Sequence, residues 1–234
     1  MAKHLDLEEQ EQLAELKHFW KRYGNAISWA LIVIFSAVAA WNGYHYWQRS
    51  QAAQAAVMYD EVERAAMAGD MPKLDRALAD MQERYGRTAY AEQAALLAAR
   101  VYYDKGNLDA SKGALGWVAT KASDEGYQSI AKLRLSGILL EAKAYDDALK
   151  QVSGDMPKSF AALAADRRGD ILAAQGKKAE AKTEYQIAYK QFDERTEYRR
   201  LVEVKLNALG VDPVGAAKAV SVSVAPAPSI EPQK

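Results

Sequence analysis

Between Tyr23 and Gln48 the chain carries no Asp, Glu, Lys or Arg, and this gap constrains the fold more than any motif. Its centre, Ala26 to Trp41, holds only Ser28 and Ser36 as polar residues. As a helix, Tyr23 to Tyr46 covers roughly 36 Å, enough to cross a bilayer core of about 30 Å. Aromatic residues crowd both ends, where lipid meets water: Trp20 and Tyr23 on one side, with Phe19, and Trp41, Tyr44, Tyr46 and Trp47 on the other. The sequence therefore predicts a transmembrane anchor over 23–47, in contact with the lipid bilayer.

Orientation follows from the flanking bases. Lys17, Lys21 and Arg22 precede the anchor, whereas Arg49 is followed by no further base until Arg64. The positive-inside rule then places a leader of residues 1–22 in the cytoplasm and sends the remainder across. The leader reads as a short amphipathic helix through Leu5, Leu13, Leu16, Phe19 and Trp20, ending at Gly24. An interfacial role that sets the anchor's depth and a partner site are both open to it. A cleaved secretory signal is the alternative to an anchor, with Ala37-Val38-Ala39 as a small-x-small cleavage site. Five acidic residues in the leader (Asp6, Glu8, Glu9, Glu11 and Glu15) and the aromatic belt beyond the cut argue against cleavage. Small residues at Ser36, Ala39, Ala40 and Gly43 would permit close approach of another helix in lipid.

Composition excludes whole classes of function. The formal net charge is zero, and only four of the 31 bases and five of the 31 acids precede residue 48. The exported part thus offers no basic field for nucleic acid. There is no cysteine, hence no disulfide framework and no thiolate chemistry. The three histidines are His4, His18 and His45, all at or before the end of the anchor. That removes histidine-based catalysis and zinc sites from the rest of the chain, and no carboxylate pair stands out. We expect no enzyme, no cofactor, no metal and no small-molecule substrate.

From residue 48 to 210 nearly everything reads as helix, with alanine, leucine, glutamate, lysine and arginine dominant and apolar residues three or four apart. Breaks at Gly69-Asp70-Met71-Pro72, Tyr85-Gly86, Lys105-Gly106-Asn107, Ala122-Ser123-Asp124, Lys143-Ala144, Gly154-Asp155-Met156-Pro157, Gln175-Gly176 and Asp193 cut this stretch into helices of about 10–20 residues. Three of the turns share a grammar: those opening at Gly106, Lys143 and Gly176 each have a small residue, Ser111, Ala148 or Ala181, five positions on. With Gly69, the spacings are 37, 37 and 33 residues, close to the tetratricopeptide period of about 34. In the best copy, Gly169 and Ala181 would let two helices touch, and Tyr185 would fill the gap toward the next repeat. A plain helical bundle is the alternative. Residues 211–234 are rich in Ala, Val, Ser and Pro without helical periodicity and read as a disordered tail. The predicted class is all-α: one N-terminal transmembrane helix followed by a TPR-like right-handed solenoid of helical hairpins.

Two segments carry a closer likeness: Gly43-Tyr44-His45-Tyr46-Trp47 at the end of the anchor, and Ala164-Ala165-Asp166-Arg167-Arg168-Gly169-Asp170-Ile171-Leu172 followed by Gly176. With Val204-Lys205-Leu206-Asn207, they resemble the YfgM-type ancillary subunits of the SecYEG translocon, from about Leu13 to Ala208. The resemblance implies an inner-membrane protein of Gram-negative bacteria with a periplasmic domain. It implies the SecYEG translocon and periplasmic chaperones, notably the PpiD type, as partners. It offers no catalytic residues, and the Pro-rich tail departs from the family pattern. A membrane-anchored TPR scaffold for another cell-envelope assembly complex remains the alternative reading.

TPR hairpins stack so that the first helix of each pair lines a concave face. That scheme puts Leu96, Arg100 and Tyr103 on the inner face, then Leu133 and Leu140, then Asp166 and Asp170. A groove mixing apolar and charged side chains suits an extended peptide or a partner's helix. Core packing for Tyr103 and Leu140, and a solvated surface or internal pair for Arg100 and Asp170, are the competing assignments.

Overall fold

The computed structural model describes residues 7–213; the expected tail lies outside this range from residue 214 on, as do the first six residues of the leader. Two compact units divide at Gln54 and Ala55. Among the described residues there are helices and turns but no strand.

The first unit is the N-terminal part of α1 (Leu7–Ala68). A separate amphipathic helix ending at Gly24 was expected; instead α1 runs through this position without a break. One glycine costs a helix about 1 kcal/mol, too little to end one this long. The Trp20 indole also covers the site, 3.1 Å from where a Cβ on Gly24 would stand. Side chains such as Ile32, Val33, Ile34 and Phe35 are exposed by half or more, with no protein core to receive them. Among the described residues this is the one helix long and apolar enough to cross a membrane. Asn42, within the charge-free run, donates Nδ2–H back to the Val38 carbonyl at 2.9 Å. Trp20, Tyr23, Trp41, Tyr44, Tyr46 and Trp47 are all exposed, with Tyr44 and Trp47 in ring contact at 6.2 Å.

The second unit begins at Ala55, within α1. It contains the last turns of α1, then α2 (Met71–Tyr85), α3 (Ala89–Asp104), α4 (Leu108–Lys121), α5 (Glu125–Glu141), α6 (Tyr145–Val152), α7 (Lys158–Ala174), α8 (Lys178–Gln191) and α9 (Glu197–Ala208). Each expected break is a helix boundary. Short polar side chains start the helices: Thr88 accepts from Ala91 N–H, Asn107 from Ala110 N–H, and Asp124 from both Gly126 and Tyr127 N–H. The three turns of common grammar share one backbone solution. Gly106, Lys143 and Gly176 have φ of 77°, 60° and 80°, and the next N–H bonds back to Tyr102, Leu139 and Leu172 respectively. This is the left-handed helix stop that glycine favours, with Lys143 taking it against its side chain.

Helices pair as α3–α4, α5–α6 and α7–α8, each hairpin also touching the next, and α2 and α9 flank the set. Close approach comes from alanine: Ala91, Ala94, Ala95, Ala98 and Ala99 on α3 are essentially inaccessible. The repeated small residues Ser111, Ala148 and Ala181 are all buried, and Ser111 Oγ–H donates to the Ala99 carbonyl at 2.7 Å. Gly169 meets Tyr185 so closely that a Cβ there would lie 2.5 Å from two ring carbons. Tyr185 therefore packs against α7 within its own hairpin, and it also shares a buried cluster with Val202 and Leu206 of α9, the next element. α9 buries Val202 and Leu206 against this end, and Val211, beyond the expected boundary of 210, still packs there.

Candidate functional site

The first helices of the three hairpins, α3, α5 and α7, together line an open groove of about 470 Å³. α3 contributes Arg100 and Tyr103 from its last turns, where the alanine-rich side faces inward and leaves the longer side chains outside. Leu115 enters from α4, and Ile138, Leu140 and Glu141 come from the end of α5. Arg134 stands one turn earlier on α5, and Arg167 reaches in from α7. Its guanidinium lies over Gly137, 3.8–3.9 Å from where a Cβ would be, which is ordinary van der Waals contact.

Of the residues expected to form a partner-binding face, Arg100, Tyr103 and Leu140 are brought together in this groove. Tyr103 is fixed across it by donating O–H to Glu141 Oε2 at 2.7 Å. That hydrogen bond, with the carboxylate's charge behind it, raises the phenol above its ordinary pKa. The other four residues are elsewhere. Leu96 is 8% exposed within the core of the first hairpins, and Leu133 packs against Ala148, Val152 and Ile171. Asp166 and Asp170 are held inside a polar cluster under α9. Lys205 Nζ donates to both Asp166 oxygens at 2.8 Å and lies 2.6 Å from Asp170. Tyr198 donates to Asp166 and Tyr185 to Asp170, each at 2.9 Å.

Burial dominates the electrostatics of this cluster. It raises the Asp166 carboxyl above its ordinary pKa, against the opposing pull of Lys205 and Tyr198. It also pushes the Tyr185 and Tyr198 phenols far up, with the neighbouring aspartates adding to the shift. Such charges are satisfied internally and leave no free group for chemistry. Arg168 behaves likewise, with two guanidinium nitrogens on Glu184 Oε2 at 2.9 Å and a third contact to the Val152 carbonyl at 2.8 Å. The run Asp166 to Asp170 therefore does several jobs: it fastens α9, tethers α6 and α8, and presents Arg167 to the groove. Arg134, Arg167 and Glu141 were not anticipated as groove residues. Arg167 sits within the quoted segment, whereas Arg134 had no distinguishing signal.

Comparison with known proteins bears on this arrangement. The tetratricopeptide repeat-like domain family matches residues 17–211, taking in the anchor as well as the hairpins. A protein of Neisseria gonorrhoeae named ancillary SecYEG translocon subunit is 33% identical over 213 residues, covering 89% of this chain and 100% of its own length. The chain belongs to this family of TPR-like ancillary SecYEG translocon subunits. Proteins of the same name from Haemophilus influenzae and Escherichia coli are 30% and 25% identical, each over 206 residues and 87% of this chain, covering 98% and 97% of their own lengths. No solved structure gives a significant match. Family membership, with one N-terminal helix apolar enough to span a bilayer, marks an inner-membrane protein.

Proposed function

We propose that this protein is a non-enzymatic ancillary subunit of the SecYEG translocon. Its N-terminus lies in the cytoplasm and its repeat domain in the periplasm, where it links the channel exit to periplasmic chaperones of the PpiD type. The observation that carries this reading is the extent of the likeness: a relative bearing the translocon name is matched along 100% of its length and 89% of this chain. The bases Lys17, Lys21 and Arg22 before the anchor support the orientation. The open groove across α3, α5 and α7 supports binding as the activity, since TPR-like stacks present such faces to peptides and helices.

A native pull-down of the full-length protein from inner membranes in mild detergent, read by mass spectrometry, tests the partner. Stoichiometric SecYEG with a periplasmic chaperone alongside is the expected result. Recovery of a different envelope complex without the translocon would overturn the assignment and favour a scaffold for another machine. Orientation has its own test, made simple by the absence of native cysteine. A single cysteine placed at Thr183 should react with a membrane-impermeant maleimide in cells with permeabilised outer membranes, and one placed at Lys17 should not.

A further inference from the structure

The groove across α3, α5 and α7 carries three guanidinium groups above an aliphatic floor, and each keeps donors free for a ligand. Arg134 is exposed and forms no hydrogen bond or ion pair with any described residue. Arg100 reaches only Asp104, at 3.7 Å and with 77% of its side chain exposed, a surface pair of little energetic weight. Arg167 lies 3.8 Å from Asp170, but that carboxylate is held more closely by Lys205 at 2.6 Å and by the Tyr185 hydroxyl. Glu141 is the one carboxylate lining the groove, and it accepts the Tyr103 hydroxyl. Arg167 balances part of the charge of the Asp166–Asp170 pair that shares Lys205, so the positive excess at the groove comes from Arg134 and the weakly paired Arg100, over a floor of Leu115, Ile138 and Leu140. The whole chain is neutral, so this is a local concentration of charge rather than a general property of the surface.

We infer that this groove takes an acidic, aliphatic segment of a partner protein, its carboxylates paired with Arg100, Arg134 and Arg167 and its apolar side chains resting on Leu115, Ile138 and Leu140. The inference rests on the reading of the repeat domain as a protein-binding module and names the chemistry of what it binds. Guanidinium groups match carboxylates with paired, directional N–H donors, so acidic side chains are the complement of this rim. The floor selects a peptide over nucleic acid: it is aliphatic and offers a single aromatic ring, Tyr103, where single strands are held by stacking of successive bases on aromatic side chains. The Arg167 guanidinium lies across α5 over Gly137, in ordinary contact distance of a Cβ at that position.

The test uses the full-length protein in nanodiscs of zwitterionic lipid. The probe is a fluorescein-labelled peptide alternating leucine with glutamate, read by anisotropy. The same peptide with lysine for glutamate, and a single-stranded oligonucleotide of equal negative charge, are the comparison ligands. The glutamate peptide should bind, and Arg134→Glu should weaken it by about tenfold or more, the loss of one charge-assisted pair. Arg100→Glu should act in the same direction, and binding should weaken as salt is raised because both groups face solvent. Lys132→Glu, the same charge change on α5 but outside the groove, should alter affinity by less than about twofold. Urea midpoints unchanged across the set establish that the fold is intact. Equal binding of the lysine peptide or the oligonucleotide, or indifference to both groove substitutions, would overturn the inference. Translocon co-purification of the same variants separates the two claims. Co-purification without peptide binding sinks only the groove chemistry. Peptide binding that depends on Arg134, without the translocon, sinks only the assigned partner.

Discussion

Replacing Gly169 by alanine tests the packing that holds the third hairpin together. The added Cβ would stand 2.5 Å from both Tyr185 Cδ1 and Cε1 and 3.0 Å from Cζ. Ordinary contact begins near 3.4 Å, so α7 and the ring must separate by almost 1 Å. The ring has nowhere to go: Tyr185 is 4% exposed, packed with Ala165, Ala181 and Ala188, and its hydroxyl is held by Asp170 at 2.9 Å. Overpacking of this kind costs about 1–3 kcal/mol, and loosening the hydrogen bond costs about 1 kcal/mol more. Alanine's better helix propensity returns about 1 kcal/mol. The net expectation is a loss of roughly 1–3 kcal/mol in urea unfolding of the detergent-solubilised protein followed by far-UV circular dichroism. Two controls isolate the cause. Gly113→Ala, at an exposed helical site with nothing within 4 Å, should stabilise by about 0.5–1 kcal/mol. In a Tyr185→Ala background, Gly169→Ala should stop destabilising. A Gly169→Ala protein as stable as the Gly113→Ala protein would refute the argument.

Other expectations concern single features of the same unit. Lys143→Gly relieves the left-handed backbone at φ 60° and should stabilise by about 0.5–1 kcal/mol in the same urea assay. Lys205→Met leaves Asp166 and Asp170 without their shared cation beneath α9 and should cost about 3 kcal/mol, with α9 amides losing hydrogen-exchange protection first. Alkaline pH should act through the buried phenols. Tyr102, Tyr185 and Tyr198 have folded-state pKa values raised above the ordinary 10.0, so their contribution is complete below about pH 10 and is lost as pH rises through the folded values. Urea midpoints should therefore fall above pH 10, and absorbance at about 295 nm should show these phenols ionising late or only on unfolding.

The anchor and the helix boundaries were legible because they rest on local chemistry. A charge-free run flanked by aromatics needs no tertiary information, and neither does a turn glycine. Even the Lys143 turn was found, because its neighbours at Gly106 and Gly176 supplied the register. The close approach at Gly169 and Ala181 was also readable, since only small residues permit it. What the sequence concealed were contacts made by elements far along the chain. Asp166 and Asp170 lie on α7, one of the groove-lining helices, but α9 closes over them, and helical period says nothing about what covers a face. Leu133 and Arg134 show the same limit at finer scale: adjacent residues differ by about 100° around a helix, so one packs into the core and the other lines the groove. Tyr185 reaches α9 as its pattern implies, but its close contact with Gly169 across its own hairpin depends on how two helices cross, which periodicity does not give. Gly24, at the junction of leader and anchor, shows that a single glycine does not end a helix with this much apolar and helix-forming sequence on either side.

We propose that the α3–α5–α7 groove is the surface through which this protein meets its partners. Site-specific photocrosslinking in native membranes tests it most directly, with a benzophenone side chain placed at Arg134 or Leu140 in the groove and at Thr183 on α8 as the comparison. The account predicts adducts to a translocon subunit or a periplasmic chaperone from the groove positions and none from position 183. Adducts from position 183, with the groove positions silent in a folded protein, would contradict it.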